Sequence, residues 1–186
     1  MAIMANGYTN PMQTTPSPPV QDLSTPEARQ LALRALLYTD VQTKCQLVSK
    51  LDDHIHVDAQ VVLPEPEPLP LSAGRPEAPA LVSPAKLKHR SVSTAHGRAV
   101  LLHALAHIEF NAINLALDIV WRYPDMPVSF YRDWLKVARE EAYHFSLLQK
   151  RLQSLGQTYG DFPAHNGLWE MATKTASDLL ARLALV

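Results

Sequence analysis

The 186 residues carry 17 Lys and Arg against 18 Asp and Glu, a formal charge of -1, with 47% hydrophobic residues. That is enough apolar material for one domain with its own core, and the balanced charge gives a nucleic-acid partner no electrostatic support. The single cysteine, Cys45, excludes an internal disulfide; with no apolar run of membrane-span length and no secretory pattern at the N-terminus, a cytoplasmic chain without a membrane partner is expected.

Residues 1–22 mix Asn, Thr, Ser, Gln and Pro with little that could form a core, so a disordered tail is expected. Thr25-Pro26-Glu27 reads as an N-cap, a proline at the first helical position and an acid in the first turn. One helix is predicted to follow, making 23–51 an N-terminal helical segment with Leu33, Leu36, Leu37, Val41, Leu47, Val48 and Leu51 at roughly helical spacing.

Residues 52–93 hold Pro64, Pro66, Pro68, Pro70, Pro76, Pro79 and Pro84, which rule out helix interiors and central strands. An extended connector wrapped along a surface is predicted, on the strength of Val61, Val62, Leu63, Leu69, Leu81 and Val82. Asp53, His54, His56 and Asp58 lie in this irregular segment without a second group to complete a metal site.

A long helix is predicted from about residue 94 or 97 to 122, containing His103-Ala-Leu-Ala-His107-Ile-Glu109. On a helical wheel Leu102, Leu105, Ala106, Ala112, Ile113, Ala116 and Val120 fall within about 60° of Glu109, which puts Glu109 on the core stripe. His103, His107, Asn111, Asn114, Asp118 and Arg122 form a polar face on the far side. The two histidines have the i, i+4 spacing of zinc peptidases but lack the intervening glutamate, so hydrogen bonds to the connector or to solvent are the expected role.

Tyr123-Pro-Asp-Met-Pro127-Val-Ser129 breaks this helix and starts the next, which runs to about residue 155 before Gly156 and Gly160. A short loop between two long helices implies an antiparallel pair. In the second helix Glu141 falls among Phe130, Trp134, Val137, Ala138, Phe145, Leu148, Leu152 and Leu155, so its carboxylate is expected to point inward. Lys136, Arg139, Glu140, Tyr143 and Lys150 make the outer face. A last helical pattern uses Leu168, Met171, Ala172, Thr175, Leu179, Leu180 and Leu183, with Glu170 and Lys174 spaced as an outward i, i+4 pair.

The elements together describe an all-α chain with a partial helical domain at 94–186. Glu140-Glu141-Ala-Tyr-His144 places a carboxylate and an imidazole three residues apart, and the antiparallel pairing brings Glu109 beside them. A buried carboxylate needs a partner. Two readings stand: Glu109, Glu141 and His144 hold a metal, as half of a carboxylate-bridged di-metal site, or the two glutamates hydrogen-bond within a helical core. His103, His107, Glu140 and Tyr143 are secondary candidates for the metal or its surroundings.

The segments His103-Ala-Leu-Ala-His-Ile-Glu109, Tyr123-Pro-Asp-Met-Pro127, Glu140-Glu-Ala-Tyr-His144, Tyr159-Gly-Asp-Phe-Pro-Ala-His165 and Asp178-Leu-Leu-Ala-Arg-Leu-Ala-Leu-Val186 resemble an uncharacterised family, domain of unknown function 455. The connector around Gly74-Arg75-Pro76 and Ser83-Pro84 resembles the approach to that domain. The resemblance implies a ferritin-like helical bundle and a di-iron or di-manganese site, with Glu109, Glu141 and His144 on ligand positions. It implies no established substrate. Di-iron oxidoreductase or hydroxylase chemistry is the expectation, and ferritin-like tRNA hydroxylases are a precedent by analogy only.

Members of that family continue into a further ligand-bearing Glu and a second Glu-x-x-His, which this sequence lacks. The resemblance therefore implies half a site per chain. Either the chain is a fragment, or two copies pair as a homodimer to rebuild the site, or the site is vestigial. The alternative function is a non-catalytic helical interaction module without metal.

Overall fold

The computed structural model describes residues 27–61, 63, 73–87 and 91–186. It is all-α, with six helices among the described residues: α1 (Ala28–Leu37), α2 (Val41–Val48), α3 (Ala95–Arg122), α4 (Val128–Ser154), α5 (Gly167–Lys174) and α6 (Leu179–Leu185). The extended elements described amount to one parallel bridge between Leu81 and Ala164.

The antiparallel pair α3 and α4 is the body of the molecule, and local chemistry sets its ends. Thr94 caps α3 by accepting from the Gly97 amide at 3.0 Å. A side chain at Gly97 would overlap the Ser91 carbonyl, so the close approach of that turn requires glycine. Pro124 cannot continue α3, and Asp125 turns the chain with φ 59°. Tyr131 of α4 then ties the turn, donating to the Tyr123 carbonyl at 2.8 Å and accepting from the Met126 amide at 3.1 Å. At the other end Gly156 takes φ 72°, and the Gly156 and Gln157 amides donate to the Gln153 and Leu152 carbonyls, the paired bonds of a Schellman motif. Between these ends Ile113, Leu117 and Val120 of α3 meet Tyr131, Leu135, Phe145 and Leu152 of α4 in the core. Each such side chain contributes roughly 1.5–3 kcal/mol when fully buried.

The single N-terminal helix expected from periodicity is two helices. Tyr38 is extended and Asp40 accepts from the Thr43 amide at 2.7 Å, capping a new helix where a continuous one was expected. The expected N-cap, Thr25-Pro26, and the 1–22 tail lie outside the described residues; α1 is capped by Glu27. Ala28, Ala32 and Ala35 are fully or almost fully buried, and these small residues let α1 lie close on α3. Arg29, also buried, donates to the Val61 carbonyl at 2.9 Å and to the Trp121 carbonyl at 2.8 Å. It thereby satisfies one of the last carbonyls of α3 and fixes the start of the connector.

The last helical pattern is likewise divided, because Asp178 accepts from the Ala181 amide and starts α6. Arg182 of α6 turns back into the body. Its guanidinium, 1% exposed, pairs with Asp118 and donates to Thr175 Oγ1 and the Ala172 carbonyl. Glu170 and Lys174 are both exposed, and no ion pair joins them among the described residues.

The largest correction concerns which side of α3 is covered. The face read as polar is inside: His103, Asn111, Asn114 and Asp118 are 1%, 6%, 2% and 0% exposed. α1 and α5 pack on α3, the connector pairs with the loop after α4 through Val82 N to Ala164 O (2.8 Å), and α6 sends Arg182 to Asp118. The other side carries Leu101, Leu105 and Ile108 at 46%, 38% and 48% exposure. A second correction follows on the same helix, for α3 is long and apolar enough by length and composition to cross a membrane. It packs against α1, α4 and α5, with 44% of its apolar window buried inside the fold.

Candidate metal centre

Glu109 stands near the middle of α3, and Glu141 and His144 stand one turn apart near the middle of α4. The antiparallel packing brings the three together. One ligand atom from each lies within 4.8 Å of the other two. His144 Nδ1 is 3.2 Å from Glu141 Oε2 and 3.9 Å from Glu109 Oε2.

The carboxylates are less deeply placed than the helical wheel implies: the Glu109 and Glu141 side chains keep 24% and 23% of their surface, and that of His144 keeps 50%. The reason is the uncovered side of α3 that carries Leu105 and Ile108. Even so, partial burial holds the Glu109 carboxyl up at about 7, and the hydrogen bond and negative charge of Glu141 push in the same direction, with His144 opposing. A carboxylate pair held this close shares a proton or a cation.

The donor set fits a metal ion. Ligand atoms held about 2.1 Å from one ion lie about 3.0 Å apart when adjacent and about 4.2 Å apart when opposite in octahedral geometry. The 3.2 and 3.9 Å separations fall in that range. Two oxygens and one imidazole nitrogen leave coordination positions open on the exposed side.

The other sequence candidates are occupied elsewhere. His103 Nε2 accepts from the Gly160 amide at 2.9 Å, and the ring stacks on Tyr159. Burial, reinforced by the neighbouring His107 and opposed by Asp161, lowers its pKa to about 4, so it is neutral. His107 Nε2 is 3.0 Å from the His165 carbonyl, which can only accept, so Nε2 carries the proton and Nδ1 accepts from the Tyr159 hydroxyl at 2.9 Å. Both histidines thus bind the loop between α4 and α5, where the sequence suggested the connector or solvent. Glu140 lies on the outer face 3.9 Å from Lys136, and Tyr143 is 61% exposed. In the connector, Asp53 pairs with Arg139 at 2.9 Å and Asp58 accepts from the Gln60 amide; neither joins a ligand cluster among the described residues.

Sequence reasoning missed three buried cations, Arg29, Lys44 and Arg182. Lys44 had a signal: it stands three residues after Val41 and four before Val48, on the apolar stripe of its helix. Asn111 and Asn114 were read only as part of a polar face, and no spacing along the chain showed that they, Arg75 and Asn166 border one cavity on the covered side of α3.

No solved structure matches this chain. An uncharacterized protein of Haemophilus influenzae (strain ATCC 51907 / DSM 11121 / KW20 / Rd) is 47% identical over 163 residues, covering 82% of this chain and 57% of the relative. The chain therefore spans little more than half the length of that relative. Residues 37–186 match the family model described as "Protein of unknown function (DUF455)", and the chain belongs to that family.

Proposed function

We propose that Glu109, Glu141 and His144 bind iron or manganese, and that the chain supplies half of a ferritin-like di-metal centre for oxidoreductase or hydroxylase chemistry. The observation that carries this reading is the convergence of the three ligand atoms within 4.8 Å from the middles of two helices. Oxygen ligands with a single imidazole suit iron or manganese better than a soft-metal site. When bound, such a pair of ions supplies the electrons or the Lewis acidity for oxygen chemistry. The residues of this chain orient the site: Glu141 faces His144 Nδ1, and Glu109 lies across the helix interface, with a carboxyl whose proton a cation would replace.

A homodimer in which a second copy contributes the same three residues would complete a two-ion site. The substrate is an organic molecule of unassigned class, and a modified nucleoside is favoured only by analogy with tRNA hydroxylases of similar fold. The half-buried Cys45 thiol, raised to about 11 by desolvation, is a poor nucleophile, in keeping with the cytoplasmic location proposed for the chain.

Anaerobic reconstitution with Fe(II) or Mn(II), followed by metal analysis, tests the reading. The expected result is one ion per chain in the wild type and loss of the ion in Glu141→Ala. Absence of stoichiometric metal in the reconstituted wild type overturns it. The uncovered Leu101, Leu105 and Ile108 favour a second reading, a non-catalytic module that docks a partner through this face. Light scattering separates the two: oligomers that form without metal support the module, and a dimer that forms only with metal supports the rebuilt site.

A further inference from the structure

On the side of α3 away from Glu109, a cavity of about 200 Å³ lies between α3, the connector at residues 73–81, Tyr159, Asn166 and Trp169 of α5. Its polar lining comes chiefly from Arg75, Asn111, Asn114 and Asn166, and its apolar lining from Phe110, Pro76, Pro79, Leu81 and Trp169; among the described residues no acidic side chain borders it. His107 also reaches the wall, but its two ring nitrogens are committed to Tyr159 and His165.

The charge balance around this space is one-sided. Lys44, fully buried, directs its ammonium to the Leu36 and Gly74 carbonyls at 3.0 and 2.7 Å and to Asn114 Oδ1, and lies 5.1 Å over the Phe110 ring. Every one of those partners is neutral. Burial lowers the Lys44 pKa to about 7, with the neighbouring Cys45 opposing. At the mouth Arg75 has neither a hydrogen bond nor an ion pair among the described residues.

Arg75 is nonetheless held in place by its neighbour. The Gly74 amide donates to the Leu36 carbonyl at 2.8 Å, and a side chain at Gly74 would overlap the Leu37 and Tyr38 carbonyl oxygens. Asn166 stands at the N-cap of α5 without making a side-chain cap bond, so its amide is available to a guest. A buried cation behind the Phe110 and Asn114 wall, a second cation at the mouth with no partner among the described residues and the open side-chain amide of Asn166 are surroundings that favour an anion.

We infer that this cavity binds a small organic carboxylate, with its anionic end held by Arg75 and the side-chain amide of Asn166, and its apolar body against Phe110 and Trp169; the Asn111 amide, which donates to the His107 carbonyl at 2.8 Å, forms part of the wall. The planar guanidinium matches a carboxylate through two parallel hydrogen bonds. The volume falls below the roughly 300–1,000 Å³ of pockets for drug-sized ligands, which excludes a nucleotide. The apolar walls favour an organic body over an inorganic oxyanion. This site is independent of the metal reading, since it shares none of Glu109, Glu141 and His144.

Isothermal titration calorimetry on the full chain, dialysed against a chelator, tests the inference with acetate, hexanoate and benzoate, and with benzamide and inorganic phosphate as comparisons. At least one carboxylate is expected to bind saturably at one per chain, and benzamide to bind roughly tenfold or more weaker than benzoate, as loss of a charge-assisted hydrogen bond implies. Arg75→Gln is expected to weaken the preferred carboxylate about tenfold while leaving the unliganded thermal midpoint unchanged, because Arg75 is exposed and has no partner among the described residues. Asn166→Ala weakens binding in the same direction, and Glu141→Ala leaves it unchanged, which separates this site from the metal centre. No saturable carboxylate binding, equal affinity for benzoate and benzamide, indifference to Arg75→Gln, or a preference for phosphate over every carboxylate would overturn the inference.

Discussion

Replacing Asp118 by Ala removes the anion that docks α6 on α3. Asp118 is wholly buried and accepts from Arg182, from Arg122 Nε at 3.1 Å and Nη2 at 2.6 Å, and from Trp121 Nε1 at 3.2 Å. Arg122 keeps 19% of its side-chain surface and can rehydrate, whereas Arg182 keeps 1% and cannot. After the substitution Arg182 retains only Thr175 Oγ1 and the Ala172 carbonyl, both neutral. Stranding a buried charge in this way costs about 3–5 kcal/mol. At about 2–4 °C per kcal/mol for a chain of this size, the thermal midpoint should fall by roughly 6–20 °C. Adding Arg182→Met should recover most of the loss, since an apolar replacement of a buried pair is often near neutral. Urea unfolding of wild type, Asp118→Ala, Arg182→Met and the double variant gives the coupling energy directly. A loss below about 1 kcal/mol in Asp118→Ala, the range of an exposed ion pair, would refute the reasoning.

Three further outcomes follow from the same structure. Glu109 titrates near 7 in the fold against an ordinary value of 4.5, so between those values the folded state binds the extra proton; metal-free stability therefore falls as pH rises from about 4.5 to 7, and thermal melts of Glu109→Gln should lack that fall. Lys44 titrates near 7 in the fold against 10.5, so the unfolded chain binds the extra proton above pH 7 and stability rises toward 10.5; Lys44→Met should abolish this rise in pH-dependent urea titrations while lowering stability throughout, because the Leu36 and Gly74 carbonyls and Asn114 lose their donor. Gly74→Ala should destabilise the chain by more than about 1 kcal/mol, since the added Cβ meets backbone oxygens that cannot move aside, and urea midpoints measure the loss.

The elements were legible wherever local chemistry determined them. The Thr94 cap, the absence of proline between Thr94 and Tyr123, and the Pro124 and Gly156 breaks specify α3 and α4 nearly to the residue. Glu141 and His144 share a face because they lie three residues apart on one helix, and the short turn at 123–127 forces Glu109 toward them. The shorter helices were less legible: Asp40 and Asp178 each begin a new helix within an apolar pattern that continues across the break. Either aspartate could also have stood on the outer face of an unbroken helix, and periodicity does not distinguish the two.

By itself, the sequence determined the all-α class, the long antiparallel pair and the Glu109, Glu141 and His144 set, all of which follow from spacing along a helix. Only the tertiary structure decided which side of α3 is inside. Its polar side is covered because His103 meets Gly160, His107 meets Tyr159, Asn114 meets Lys44 and Asp118 meets Arg182. Each partner comes from a segment dozens of residues away in the chain. A polar side chain is excluded from a core only when its hydrogen bonds go unmade, and a helical wheel records the apolar stripe without recording what arrives to satisfy the opposite face. The uncovered Leu105 and Ile108 beside the carboxylates are the other half of that result: they leave Glu109 and Glu141 at the edge of the core, where the wheel had put them at its centre.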